Sequence, residues 1–189
     1  MVRRRDESKA EAILEAALTE VAQVGLSGLS IDAVAKRGRV AAGTIYVYFS
    51  SKDALIEALY AKVKLGFSGL VFSSEILPVR PGIEAICRRY LQYCRSHPRE
   101  LIFLDQIEAS PTWRDKVGST TTMAMRPLVK LLEQGKAERI VRDIESQTLI
   151  AYLAGGLQAS ARLSMEDGSA RSEQRTSQII SLCWSVLAA

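Results

Sequence analysis

The side chains able to carry acid–base or nucleophilic chemistry are few in these 189 residues, and they are poorly spaced for it. The single histidine, His97, sits between Ser96 and Pro98, so any Ser–His or Cys–His pair would have to be built on it. Histidine-rich zinc sites, paired Glu-x-x-His motifs and HExxH helices all need more histidines or other spacings. GxGxxG, GxxxxGKS/T and GxSxG strings are absent. Cys87 and Cys94 would share a helix face but stand about 10 Å apart along its axis, beyond the ~7 Å that a disulfide spans between Cα atoms. Cys94 and His97 could share a metal only with Glu84 or Glu100 further off. Buried thiols and a helix-terminal histidine beside Pro98 describe the same residues more simply. The expectation is no metal, no cofactor and no enzyme.

A different chemistry, contact with a polyanion, is suggested by the run Ala41-Ala42-Gly43-Thr44-Ile45-Tyr46-Val47-Tyr48-Phe49. Ile45 and Phe49 are four apart and face a core. Ala42, Thr44, Tyr46 and Tyr48 leave small or hydroxyl-bearing groups on the rest of the surface. A helix that enters a DNA major groove needs small residues near its start so that its backbone can approach base edges. Lys52, at the next helix start, adds an ammonium where a phosphate could also meet backbone N–H groups. Taken singly, Tyr46, Tyr48 and Phe49 are equally readable as the aromatics of a small core, and Lys52 as a solvated helix start. The whole string in its context is not.

The elements that must position this run are helices. Sustained alternation and Asn-Gly or Asp-Gly turns are missing, whereas helical periodicity is nearly continuous. A first helix, roughly 8–24, carries Ile13, Ala17, Val21 and Val24, and Gly25 ends it. Ser30 caps a second, short helix that stops near Gly38. A third covers Ala41 to Val47. A fourth opens at Ser51 and sets Leu55, Leu59, Val63 and Phe67 on one face. Residues 73–81 read as a linker. Helices follow at 82–96, 99–109, 112–135, 144–165 and 173–188, with breaks at His97-Pro98 and Ser110-Pro111 and a bend or break at Pro127. The fold class is all-α, about nine helices, with an N-terminal three-helix helix-turn-helix module and a larger helical domain. In such a module the third helix enters the groove and the second braces it.

Composition agrees without deciding the matter. The chain is 48% hydrophobic and 24% charged, with a net charge of +4, close to an ordinary globular protein. Residues 1–52 hold eight Lys/Arg and six Asp/Glu, too even a balance to identify a nucleic-acid binder by charge alone. Arg3, Arg4 and Arg5 read either as a solvated tail or as an arm for the minor groove or phosphates. No apolar run reaches the ~20 residues of a membrane span. Neither a secretory leader nor a disulfide framework is legible, so a reducing cytoplasm is expected.

Over residues 12–59 the chain resembles the TetR family of bacterial transcriptional regulators. The string AILEAALTEVAQVGLSGLSIDAVAKRGRVAAGTIYVYFSSKDALIEAL follows the three-helix signature of that family, most specifically in GTIYVYFSSKDAL. The resemblance implies that Thr44, Tyr46, Tyr48 and Lys52 contact phosphates or bases, and that Ser30 caps the second helix and touches a phosphate. It departs from the family where Gly38-Arg39-Val40-Ala41-Ala42-Gly43-Thr44 replaces Ala-Gly-Val-Ser-Lys-Gly-Thr. Arg39 then occupies the place of a positive-φ glycine, a strain of about 1 kcal/mol or more. Ala41 lacks the usual capping hydroxyl, and Ala42 offers only a methyl to a base, which implies an apolar, shape-dependent readout. The candidate DNA-binding residues are thus Ser30, Arg39, Ala41, Ala42, Gly43, Thr44, Tyr46, Tyr48 and Lys52.

The division expected is a DNA-binding domain over 1–52 and a helical ligand-binding and dimerisation domain over 53–189. Residues 131–165 also resemble a common regulatory-domain pattern of the family. Small residues Ala154, Gly155, Gly156 and Ala159 permit close approach of another helix, and the last helix is apolar almost all round, so it needs cover on two sides. Leu153, Leu157, Ala161, Ile179, Cys183 and Val186 are the candidate residues for a two-fold mate. The resemblance further implies a small-molecule pocket. Phe67, Tyr90, Tyr93, Phe103, Trp113 and Met123 are its candidate lining, suited to an apolar or aromatic effector, although each is equally an ordinary core residue. Partners expected are double-stranded DNA, a second copy of the chain and that unidentified effector, with no membrane. The function expected is that of a homodimeric repressor released from a pseudo-palindromic operator by the effector. The alternatives are a DNA-binding dimer tuned by a protein partner and, at the far end, a helical enzyme with a fortuitous N-terminal similarity.

Overall fold

The structure is a computed structural model, and it describes residues 7–72, 77–164 and 169–189. The described residues form nine helices: α1 (Glu7–Gly28), α2 (Ile31–Gly38), α3 (Ala42–Tyr48), α4 (Lys52–Val71), α5 (Val79–Ser96), α6 (Pro98–Ala109), α7 (Pro111–Ala137), α8 (Ser146–Ser164) and α9 (Ser169–Leu187). Among them the only β pairing is an isolated bridge between Val141 and Ala188. Arg3, Arg4 and Arg5 lie outside the described residues.

The chain divides into two compact units, residues 1–65 with 98–121 and residues 66–97 with 122–189. In the first unit, Ile13, Ala17 and Val21 of α1 are fully buried, as their three- and four-residue spacing requires. They share one core with Val34 of α2, Ile45 of α3 and Leu59 of α4. α1 runs past its expected end but kinks at Gly25, whose φ of 79° and ψ of 165° need a residue without a Cβ. The kink withdraws the Leu26 N–H from the helix ladder, and the Gln106 side chain of α6 accepts it at 2.5 Å. The α1–α4 contact carries an ion-pair cluster in which Lys62 meets Glu11 at 2.6 Å and Glu15 at 2.7 Å. Partial burial works against the Lys62 ammonium, yet these carboxylates outweigh it and hold its pKa above the ordinary lysine value.

In the second unit, α5 packs against α8 and α9. α5 begins at Val79, inside the expected linker, because Pro81 falls in its first turn, where the missing N–H has no partner to lose. α7 is not broken at Pro127. The carbonyl that Pro127 leaves unbonded belongs to Met123, whose side is exposed to water. α7 instead ends after Ala137, with Arg139 in the left-handed region at φ 58°. The chain then turns across Gly135, where Val141 Cγ2 and Val79 Cγ1 occupy the space a Cβ would need, the latter at 2.9 Å. Gly135→Ala should therefore cost about 1–3 kcal/mol by overpacking, read as a lower midpoint of denaturant unfolding.

Candidate nucleic-acid interface

Three cap geometries set the position of α3. Ser30 takes an extended backbone and its Oγ accepts from the Ala33 N–H at 3.1 Å, so α2 starts where the hydroxyl predicts. α2 stops at Arg39, which lies in the left-handed region at φ 53° and ψ 42° and turns its N–H back to the Ala35 and Lys36 carbonyls. The arginine thus adopts the conformation a glycine would adopt freely. Arg39→Gly should raise stability by up to about 1 kcal/mol if relief of strain exceeds the added unfolded-state entropy, and comparison of chemical-denaturation midpoints measures it. α3 then opens at Ala41, where no side chain caps the helix. Its first turn closes through the Thr44 N–H on the Ala41 carbonyl at 2.8 Å.

Seven residues make a helix too short to persist alone, so its orientation comes from tertiary contacts. Ile45 is fully buried, and Ala42, Tyr48 and Phe49 pack half-buried on the same core. α2 is tied to α1 by Arg37, which donates through Nε at 3.1 Å and Nη2 at 3.0 Å to the buried Glu20 carboxylate. On the other side Ser51 Oγ accepts from the Ala54 N–H at 3.0 Å and starts α4, so Lys52 falls in its first turn. The outward face of α3 is left with Gly43 exposed, Thr44 half-buried, Tyr46 54% exposed and Val47 58% exposed. Among the described residues, and apart from its chain neighbours and its own helix backbone, no atom lies within 4 Å of the position a Gly43 Cβ would take. Gly43 is the second residue of α3, in its first turn.

The sequence run singled out Ala42, Thr44, Tyr46 and Tyr48 but passed over Val47, which is as exposed as Tyr46. A surface cleft adjoins Lys52, lined also by Asp53, Leu26, Gln106 and Trp113. Asp53 is paired with Lys116 at 2.5 Å, and Lys116 also stands 4.6 Å over the Trp113 ring.

The other candidate residues are placed less simply. Phe67 meets Tyr90 and Tyr93 edge-on at 5.8 and 5.3 Å, and Tyr93 stacks on His97 at 4.4 Å. Phe103 is fully buried in the core of the first unit, and Trp113 packs beside that core. Met123 is 69% exposed. Helical spacing identified it as apolar and on a stripe, but could not say that the stripe faces water.

Leu153, Leu157, Ala161, Ile179 and Cys183 are buried within the unit and Val186 is half-buried, so these side chains turn towards their own protomer. The outward face of α8 and α9 is made by others: Tyr152 and Leu182, each 66% exposed, and exposed Gly155, Gly156 and Ala159. Beside them runs a groove of about 440 Å³ lined by Ile144, Leu149, Tyr152, Leu182 and Val186. Among the described residues no cluster of His, Cys, Asp and Glu could hold a metal, and no helix is long and apolar enough to cross a membrane.

Residues 13–59 match the family described as bacterial regulatory proteins, tetR family. An uncharacterized HTH-type transcriptional regulator of Haemophilus influenzae is 32% identical over 108 residues, 56% of this chain and 58% of its own length. An HTH-type transcriptional repressor of Streptomyces coelicolor is 32% identical over 111 residues, 57% of this chain and 55% of its own. The chain thus spans little more than half the length of these relatives. The solved structure of the transcriptional regulator FadR from Bacillus subtilis, in complex with stearoyl-CoA, superposes with a TM-score of 0.80 over 93% of this chain and 98% of its own. At 17% identity that likeness concerns the fold.

Proposed function

We propose that this chain is a member of the TetR family of bacterial regulatory proteins, whose family model its residues 13–59 match, and that it is a homodimeric transcriptional repressor acting on a pseudo-palindromic operator in the cytoplasm. The observation that carries this reading is the outward face of α3. It is a short helix fixed by a buried Ile45, presenting Gly43, Thr44, Tyr46 and Val47 to solvent and followed by Lys52. That arrangement suits a major groove, with Gly43 and Ala42 admitting the backbone to base edges and Tyr46, Tyr48, Lys52 and the Ser30 hydroxyl meeting phosphates. Residues 1–52 serve as the DNA-binding part and 53–189 as the regulatory and dimerising part.

The second copy docks on the outer face of α8 and α9. Tyr152 and Leu182 supply apolar area there, and Gly155, Gly156 and Ala159 let the backbones approach. Two copies of α3 then read half-sites about one DNA turn or a multiple apart. An apolar effector, the class to which the acyl chain bound by the Bacillus subtilis regulator belongs, binds the second unit. It stabilises a conformer whose spacing no longer fits the operator, and it acts only through its different affinity for the two conformers.

Selection of genomic fragments by the purified protein, followed by sequencing, tests the reading. A single inverted repeat enriched across fragments is the expected result, and enrichment without any shared sequence contradicts it. Thermal shifts across a panel of amphipathic and aromatic compounds separate effector control from control by a protein partner, because only the former raises Tm with compound concentration.

A further inference from the structure

We propose that the cleft beside Lys52 is a binding site for an aromatic carboxylate, and that its occupant competes with DNA phosphate for the Lys52 ammonium. The cleft holds about 500 Å³ and is lined from the end of α1, the start of α4, the end of α6 and the start of α7. All its lining residues belong to the first unit, so it is separate from the second unit, to which the effector is assigned. The kink at Gly25 shapes one wall. The Leu26 N–H that it releases can only donate, so the Gln106 atom bonded to it at 2.5 Å must be Oε1. The orientation of that amide is thereby fixed, and its Nε2 hydrogens are left over.

Lys52, Gln106 and Trp113 all line the cleft and are half-buried. Among the described residues the Lys52 ammonium, Gln106 Nε2 and Trp113 Nε1 have no hydrogen-bond partner. These three groups can donate and cannot accept. Asp53 is the one carboxylate in the lining, and its charge is taken up by Lys116 at 2.5 Å, the same ammonium that stands 4.6 Å over the Trp113 ring. Ser27 and Ser110 add hydroxyls that serve either way. What stays uncommitted is one positive charge with N–H donors around it, which matches an oxyanion.

A bare anion would use only those donors. Leu26, the buried Ile56 and the Trp113 ring make the rest of the lining apolar, suited to a flat hydrocarbon body. A carboxylate on an aromatic ring satisfies both halves. The consequence for DNA rests on the assignment of Lys52 to a phosphate, made above; the site itself does not. An ammonium bonded to a ligand carboxylate is no longer available to neutralise a phosphate, so occupation of the cleft should weaken operator binding as removal of the lysine does.

The test uses the full chain, isotope-labelled for NMR. Its two tryptophans give two indole N–H signals, assigned with Trp184→Phe or, should that variant not fold, with Trp113→Phe. Titration with p-ethylbenzoate should move the Trp113 signal saturably and leave that of Trp184, in α9, in place. The neutral p-ethylbenzamide, of the same shape, and inorganic phosphate, which lacks the ring, should each bind at least about tenfold more weakly, and Lys52→Met should weaken p-ethylbenzoate by a similar factor. A Trp113 signal that stays in place, that moves without saturating, or that responds equally to the amide, to phosphate or in Lys52→Met overturns the site. Fluorescence anisotropy on operator DNA should then show affinity lowered about tenfold at saturating p-ethylbenzoate, with no further loss in Lys52→Met. Unchanged operator affinity at saturation overturns the competition. Saturable, Lys52-dependent movement in a protein that binds no DNA would support the site while contradicting the regulatory reading.

Discussion

Tyr46→Ala and Lys52→Ala should each lower affinity for operator DNA by about tenfold to a hundredfold, the size expected from losing a hydrogen bond or ion pair to a phosphate. The fold should survive both. Tyr46 is 54% exposed and outside the core that Ile45 anchors, so its truncation removes little buried area. Lys52 stands in the first turn of α4, whose start is fixed by Ser51 and not by the lysine. Titration of each variant by fluorescence anisotropy, beside its thermal melt, reads both quantities. The two losses should also differ in kind. Lys52→Ala should flatten the dependence of affinity on salt by about one counterion, whereas Tyr46→Ala should leave that slope nearly unchanged. A melt shifted down with affinity unchanged would assign these side chains to stability alone.

The second large effect separates two faces of one helix. Leu157→Asp should unfold or severely destabilise the protein, by roughly 3–5 kcal/mol, because a carboxylate would replace a side chain only 5% exposed on the inward stripe of α8. Tyr152→Asp, on the outward side of the same helix at 66% exposure, should leave the protomer folded. In a two-fold dimer it places a charge on each side of the interface, and should weaken association by at least about tenfold. Light scattering with circular dichroism distinguishes the outcomes: loss of signal and aggregation for Leu157→Asp, native ellipticity at half the mass for Tyr152→Asp. Undiminished mass for Tyr152→Asp would place the dimer contact elsewhere.

Local rules carried most of the fold. Ser30 as a cap, Arg39 in a glycine's conformation, Ala41 without a capping bond and Ser51 at the head of α4 are decided within three or four residues, and all four stand as the sequence implies. So does the burial of Leu55, Leu59, Val63 and Phe67 on one stripe. What the sequence left open depends on what a stripe packs against. Periodicity put Leu153, Leu157 and Ala161 on one face of α8, but which face meets the protomer is decided by α5 and α9, distant in sequence. The exposure of Met123 is set in the same way. Pro127 does not break α7, because a helix tolerates a missing N–H where water can satisfy the freed carbonyl, and exposure is a tertiary property. The Gln106 bond to the kinked end of α1 spans 80 positions, and the packing of residues 98–121 with the N-terminal helices is as distant in sequence. No local pattern encodes them. The candidate DNA-facing surface was legible because it is local: a short run whose residues not held by the core must face outward.

The central claim is that α3 and its flanks recognise a particular DNA sequence. Fluorescence anisotropy of the purified protein on DNA from upstream of its own gene, beside a scrambled duplex and over a series of salt concentrations, tests it most directly. Submicromolar binding to the first, much weaker binding to the second and a steep fall in affinity with salt are predicted, since each neutralised phosphate releases counterions. Indistinguishable affinities for that duplex, the scrambled one and every fragment from a genomic selection would contradict the account.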